Sequence, residues 1–250
     1  MIAAAPMALA AVLAATSLTP RQVALFELLS HDEGIACSPG QLRAALPNAR
    51  FTPLGRLAGD EVVLASIGAS CLCGAQNCPY LIVRLGSRPR ELFSTFGIDA
   101  KIVGPARPLA PVTFYAHDSA LVAVEATAAF RDGAYAVVSS GRIRWSDNAR
   151  KPDSMSVRFA AGGSSAHLHG TASLGWGDVY AFFAAAGQRV IVRDVASRAN
   201  VSLTLFQVNG VPAELHANQA FVLPKSGEYR LDVDTDAEHD AAYALTLEIR

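Results

Sequence analysis

Ala220-Phe221-Val222-Leu223-Pro224-Lys225-Ser226-Gly227-Glu228-Tyr229-Arg230-Leu231-Asp232-Val233-Asp234 decides how the last third of this chain folds. Pro224 and Gly227 are turn residues, and Tyr229 opens a strand behind them. Similar strand-like segments surround this one. SVRFAA starts at Ser156, GSSAHLHGTA at Gly163, VYAFFAAAGQRVIV at Val179, VSLTLFQV at Val201 and YALTLEIR at Tyr243. About eight short strands broken by turns suit a sandwich or jelly roll.

The order of these elements resembles the periplasmic inhibitors of i-type and g-type lysozymes. The resemblance rests on Phe159, Gly163-Ser164-Ser165-Ala166, Tyr180, the Ala186-Gly187-Gln188 corner, Leu223-Pro224, Ser226-Gly227-Glu228-Tyr229 and the terminal YxLxLxI ladder. It implies a non-enzyme that binds a lysozyme as protein partner and carries the Ser-Gly-x-Tyr loop into the active-site cleft. Ser226, Gly227, Glu228 and Tyr229 would then be the lysozyme-binding residues, with Ser226 and Tyr229 inserting. Similar turns occur in bacterial pre-peptidase C-terminal domains. That likeness implies an alternative, a non-catalytic envelope accessory module that binds glycan or protein. As a residue, Tyr229 also has a plain reading, an aromatic at the start of a strand that packs with its hydroxyl on backbone. The inhibitors are single short domains, whereas here other residues come first.

The chain has 250 residues, 51% of them hydrophobic and 17% charged, enough to bury a core. A net charge of −1 gives no case for nucleic acid or an anionic membrane. MIAAAPMALAAVLAATS is too short an apolar run to span a bilayer comfortably. Residues 1–14 read as a signal peptide, with Ala15 the first mature residue, although no Lys or Arg precedes Arg21. An apolar first helix is the alternative. The expected location is periplasmic or secreted, with no integral membrane segment.

Four cysteines fit export. Cys71, Cys73 and Cys78 cluster, and Cys37 stands apart. Cys73 and Cys78 bracket the turn-like Gly74-Ala75-Gln76-Asn77, and bridging them leaves Cys37 with Cys71; four cysteines allow three connectivities. Cys71-x-Cys73 is not a zinc knuckle, and no paired histidine lies nearby.

Residues 19–145 read as an α+β domain. Thr19 caps a helix with Pro20 in its first turn, and Val23, Leu25, Phe26, Leu28 and Leu29 give its buried stripe. Ser38-Pro39 opens a second helix ending near Asn48. Strands follow at 61–66 and 80–85, with shorter ones at 91–93, 101–103, 113–117 and 121–125. Thr127–Phe130 and Ala134–Val138 form a hairpin around Asp132-Gly133. The polar stretch 146–155 reads as a linker to a sandwich over 156–250. The fold class is therefore mainly β: an α+β domain with an antiparallel sheet, then an all-β sandwich.

Other chemistry is sparse. Asp232, Asp234, Asp236, Glu238 and Asp240 alternate, but Ala237 and Tyr243 stand where an EF-hand needs Gly and Glu. A solvated strand face and turn is the favoured reading, with a looser calcium corner as the alternative. His167 and His169 share a strand face without an identifiable third ligand. His117-Asp118 has no accompanying nucleophile motif. GxSxG, HExxH, the P-loop and a well-placed GxGxxG are absent. No catalytic residue, metal or cofactor is expected; a hydrolase in the first domain is the remaining alternative, because carboxylate pairs leave no local pattern.

Overall fold

The computed structural model describes residues 17–31, 36–74, 76–207 and 210–250. The signal segment 1–14 lies outside the described residues. The chain divides into two compact units, Met1–Thr95 with Arg107–Leu109, and Phe96–Ala106 with Ala110–Arg250.

The first unit begins with helices α1 (Pro20–Ser30) and α2 (Pro39–Ala45), followed by a 3-10 turn at Leu46–Asn48. Both helices start on reciprocal caps. Thr19 Oγ1 accepts from the Gln22 amide and Gln22 Oε1 accepts from the Thr19 amide; Ser38 and Gln41 repeat the pattern. Each box satisfies two amides that the first turn leaves without a helical partner. Leu25 and Leu29 of α1 are buried, but Val23 is 42% exposed, so the stripe is narrower than its sequence suggests.

Four strands follow: β1 (Arg50–Leu57), β2 (Asp60–Ser66), β3 (Cys78–Leu85) and β4 (Arg90–Gly97), paired in that order. β1 gives little strand signal because Pro53 and Gly55 interrupt it, and its register slips between them. Leu25, Leu29, Leu42 and Leu46 pack on Val63, Ala65, Leu81 and Val83. Cys37 joins Cys71, and Cys73 joins Cys78. The first bridge ties the approach to α2 to the β2–β3 connection; the second closes the hairpin.

The second unit opens with β5 (Asp99–Ile102), β6 (Val112–His117), β7 (Val122–Arg131), β8 (Ala134–Arg144) and β9 (Arg150–Pro152), in sequence order in one sheet. Asp132 and Gly133 take φ of 50° and 88°, the positive values expected of the tight β7–β8 turn. The sandwich contains β10 (Met155–Ser156), β11 (Ser165–Ala172), β12 (Asp178–Ala184), β13 (Arg189–Ser197), β14 (Val201–Gln207), β15 (Ala213–Leu215), β16 (Ala220–Val222), β17 (Gly227–Thr235) and β18 (Ala241–Ile249). One sheet runs β10-β12-β17-β14-β15 and the other β11-β18-β13-β16. Tyr180, Phe182, Leu203, Leu205, Tyr229, Leu231 and Val233 face inward from the first sheet. Leu168, Val190, Val192, Tyr243, Leu245 and Leu247 do so from the second, and together they form one core.

The structure differs from the sequence reading at 146–155. That stretch is no free linker. Gly141, Arg142 and Ile143 pair with Pro152, Lys151 and Arg150, and Met155 and Ser156 pair with Tyr180 and Ala181. Its polarity misleads because its charges have partners. Lys151 Nζ lies 2.8 Å from Asp178 Oδ1, with the two side chains 13% and 8% exposed. A sandwich cut at 153 would lose Lys151 and leave Asp178 buried without this cation.

Two outcomes are expected. A 153–250 fragment melts well below a 96–250 fragment in thermal denaturation, because removing one partner of a buried ion pair costs about 3–5 kcal/mol. Equal melting temperatures would show that the sandwich does not depend on Lys151. Replacing Cys37 and Cys71 by Ala costs about 4 kcal/mol and replacing Cys73 and Cys78 about 2 kcal/mol in denaturant unfolding, since the first pair closes the much longer loop. The reverse order would count against chain entropy as the cause.

Candidate functional site

The turn between β16 and β17 is held from three directions. The Leu223 amide donates to the Gln188 carbonyl and the Gly187 amide to the Leu223 carbonyl, both at 2.8 Å. The Ala186 amide donates to Ser226 Oγ at 2.9 Å. From below, Tyr229 Oη donates to the Lys225 carbonyl at 2.6 Å. Gly227 has φ of 148°, a conformation that side chains with a Cβ rarely adopt. Two landmarks distant in sequence, the 186–188 corner and the 223–229 turn, are thus one structural element.

The four sequence-predicted residues separate. Ser226 is exposed, and its O–H has no acceptor among the described residues. Glu228 is half-buried, and its Oε1 lies 3.2 Å from Arg230 Nε. Tyr229 is 1% exposed and stacks on Phe182 with ring centroids 6.0 Å apart. Its expected insertion into a partner's cleft is therefore corrected: it is a core residue whose hydroxyl holds the turn. It starts the inward-facing row that Leu231 and Val233 continue, and the pleat leaves its ring no other direction.

A second constellation was not evident from motifs. Trp176, 2% exposed, lies under three cations: Arg142 Cζ at 5.6 Å, Arg144 Cζ at 5.4 Å and Lys151 Nζ at 5.3 Å from the ring centroid. Arg144 also meets Asp147, Asp240 and Ser173. The Arg144 guanidinium holds the Asp147 carboxyl down at about 2 and draws Asp240 below its usual range. Asp178 takes Lys151 on Oδ1 and the Tyr243 hydroxyl on Oδ2. Burial raises the Tyr243 phenol first, and its bonds to Tyr180 and Asp178 add to the effect. Gly170 leaves room for this network: a Cβ there would lie 2.7 Å from Tyr243 Oη and nearer still to Asp178. The sequence signals were the Gly175-Trp176-Gly177 run and the alternation of Arg142 and Arg144, neither of which belongs to a known pattern.

The acidic series does not converge. Asp234 accepts from the Gly175 and Thr235 amides, Asp236 from Asn200, and Asp240 from Arg144 and Ser173. Each carboxylate serves a different loop. No group of three or more His, Cys, Asp or Glu among the described residues is arranged to hold a metal ion. His167 and His169 are exposed on β11, with His167 Nδ1 3.1 Å from Thr246 Oγ1. Among the described residues no helix is long and apolar enough to cross a membrane.

No family model and no curated protein matches the sequence. Solved structures of periplasmic inhibitors of g-type lysozyme are similar to part of it. An Escherichia coli mutant inhibitor is 24% identical over 38% of this chain and 96% of its own, with a TM-score of 0.33. The Salmonella Typhimurium inhibitor is 24% identical over 40% of this chain and 100% of its own, with a TM-score of 0.34. The Aeromonas hydrophila inhibitor is 24% identical over 39% and 96%, with a TM-score of 0.31.

Asp232 yields a pH prediction. Its Oδ1 is buried without a hydrogen-bond partner among the described residues. Burial pushes its carboxyl up to about 6, with Asp234 and Asp178 adding to the effect and Arg142 and Lys151 opposing it. The folded chain therefore holds this proton more tightly than the unfolded chain, where the group titrates near 4. Its contribution to stability is present below about pH 4 and is lost as pH rises through about 6. Asp232→Asn should stabilise the protein by about 2 kcal/mol at pH 7 and by little at pH 4, read from paired denaturant melts. A gain of the same size at both pH values would exclude titration as its source.

Proposed function

We propose that this chain binds and blocks a lysozyme, of the g type named for the solved structures it is similar to, by presenting the 224–228 turn to the active-site cleft. The carrying observation is the exposed Ser226 on a turn fixed by four internal hydrogen bonds, its O–H still available to donate. A glycosidase cleft contains two carboxylates that accept hydrogen bonds, and a turn already fixed loses little entropy on docking. Ser226 supplies the donor, Lys225 the positive charge, and Gly227 the backbone path. Tyr229 positions the turn from beneath. The two disulfides suit an oxidising compartment and support a periplasmic or secreted location.

The burial of Tyr229 favours a second reading, an envelope accessory module whose turn merely closes the sandwich. Activity assays of g-, i- and c-type lysozymes against the full chain separate the two. Inhibition of the g-type enzyme is expected, weakened about five- to thirtyfold by Ser226→Ala through loss of a hydrogen bond to a charged group. Tyr229→Phe should lower the melting temperature and weaken inhibition together, because it releases the Lys225 carbonyl. Absence of inhibition of all three enzymes at micromolar protein would leave the accessory-module reading.

A further inference from the structure

Phe183 is 77% exposed and Phe206 36% exposed. Both follow from the pleat. Phe182 of β12 and Leu205 of β14 are buried, so their neighbours point out of the sheet. Between these strands, β17 turns Glu228 and Arg230 outward. Phe183 lies opposite Glu228, and Phe206 opposite Arg230. Arg230 pairs with Glu228 at 3.2 Å and Asp153 at 3.3 Å, so the one cation between the two rings is held by two carboxylates. The rings stand about 12 Å apart from strand spacing and rise.

A single exposed aromatic is unremarkable on a protein surface. This one is continuous with the turn. Glu228, the second residue of β17 behind the turn, is the cross-strand partner of Phe183, and Ala186, which donates to Ser226 Oγ, lies three residues beyond Phe183. Lys225 and Arg189 flank the same end and have no carboxylate partner among the described residues. The surface thus combines a donor-bearing turn, unpaired positive charge and a protruding aromatic. Binding sites concentrate affinity in aromatic and arginine side chains of this sort. Carboxylates inside a glycosidase cleft would meet the charge, and an apolar patch beside the cleft would meet the ring.

We infer that Phe183 is the hydrophobic anchor of the interface, packing on the lip of the lysozyme cleft while the 224–228 turn enters it, with Phe206 and Arg230 as the outer margin. This rests on the inhibitor reading above and adds to it the residue that supplies most of the affinity.

The test measures binding of the full chain to a purified g-type lysozyme by calorimetry. Phe183→Thr suits the strand and should melt like the wild type, yet bind about thirtyfold more weakly, roughly 2 kcal/mol. Phe206→Thr should lose about threefold. Leu174→Ser, which removes a 62%-exposed leucine from the connection between β11 and β12, should change nothing. Wild-type binding with Phe183→Thr within twofold of it would overturn the anchor and leave the inhibitor reading intact. So would an equal loss in Leu174→Ser, which would indicate non-specific adhesion. Failure of the wild type to bind would overturn both. Phe183→Tyr, which keeps the ring, should retain affinity within about threefold, and a thirtyfold loss there would also count against the anchor.

Discussion

The second unit depends on one buried ion pair, Lys151 with Asp178. Removing either charge from water is costly, and the arrangement holds because every remaining valence is met. Lys151 Nζ also donates to the Thr171 and Trp176 carbonyls, and Asp178 also accepts from Tyr243. The pair joins β9, the last strand of the β5–β9 sheet, to β12 of the sandwich. Trp176 sits beside it as the apolar floor on which three cations lie, so lysine, arginines and indole shield one another from water. Gly170 and Gly177 make this possible, because a Cβ at either would collide with Asp178, Tyr243 or Asp232.

That constraint also distributes charge along the sandwich. The acidic residues 232–240 are committed near the Trp176 end, to Arg142, Arg144, Asn200 and loop amides. Just before the opposite end of β17, the turn carries Lys225, and Arg189 flanks it. Acidity counted over the whole segment from Ser156, ten Asp and Glu against seven Lys and Arg, suggests a basic partner. The arrangement in space points the other way, with positive charge at the turn and negative charge at the far end. Electrostatic steering follows the local field rather than the net charge of the segment.

Tyr229 belongs to the turn by sequence and to the core by packing. The turn needs a fixed backbone to be useful to a partner, and Tyr229 supplies that from inside. A tyrosine only 1% exposed, its hydroxyl donating to a carbonyl four residues earlier, is a strut. Exposure falls instead to its neighbours: Ser226 at the tip and Phe183 on the adjacent strand, which alternation turns outward because Tyr229 and Phe182 turn inward.

The sequence by itself determined the elements whose cause is local. Thr19 with Gln22 and Ser38 with Gln41 start helices through side chains three residues away. Asp132-Gly133 fixes a hairpin through allowed φ. The short strand runs broken by turns from 156 onward suggest a sandwich, while the four cysteines alone leave three pairings open, and the fold selects Cys37–Cys71 and Cys73–Cys78. Only the tertiary structure decided what depends on distant residues. A lysine in a polar stretch reads as solvent-facing until Asp178, twenty-seven positions later, is brought to it; hence 146–155 looked like a linker and is a strand and a clamp. The direction of Tyr229 and the exposure of Phe183 depend on which face of each strand meets the opposite sheet. The alternation allows either face, and the packing of the two sheets selects one.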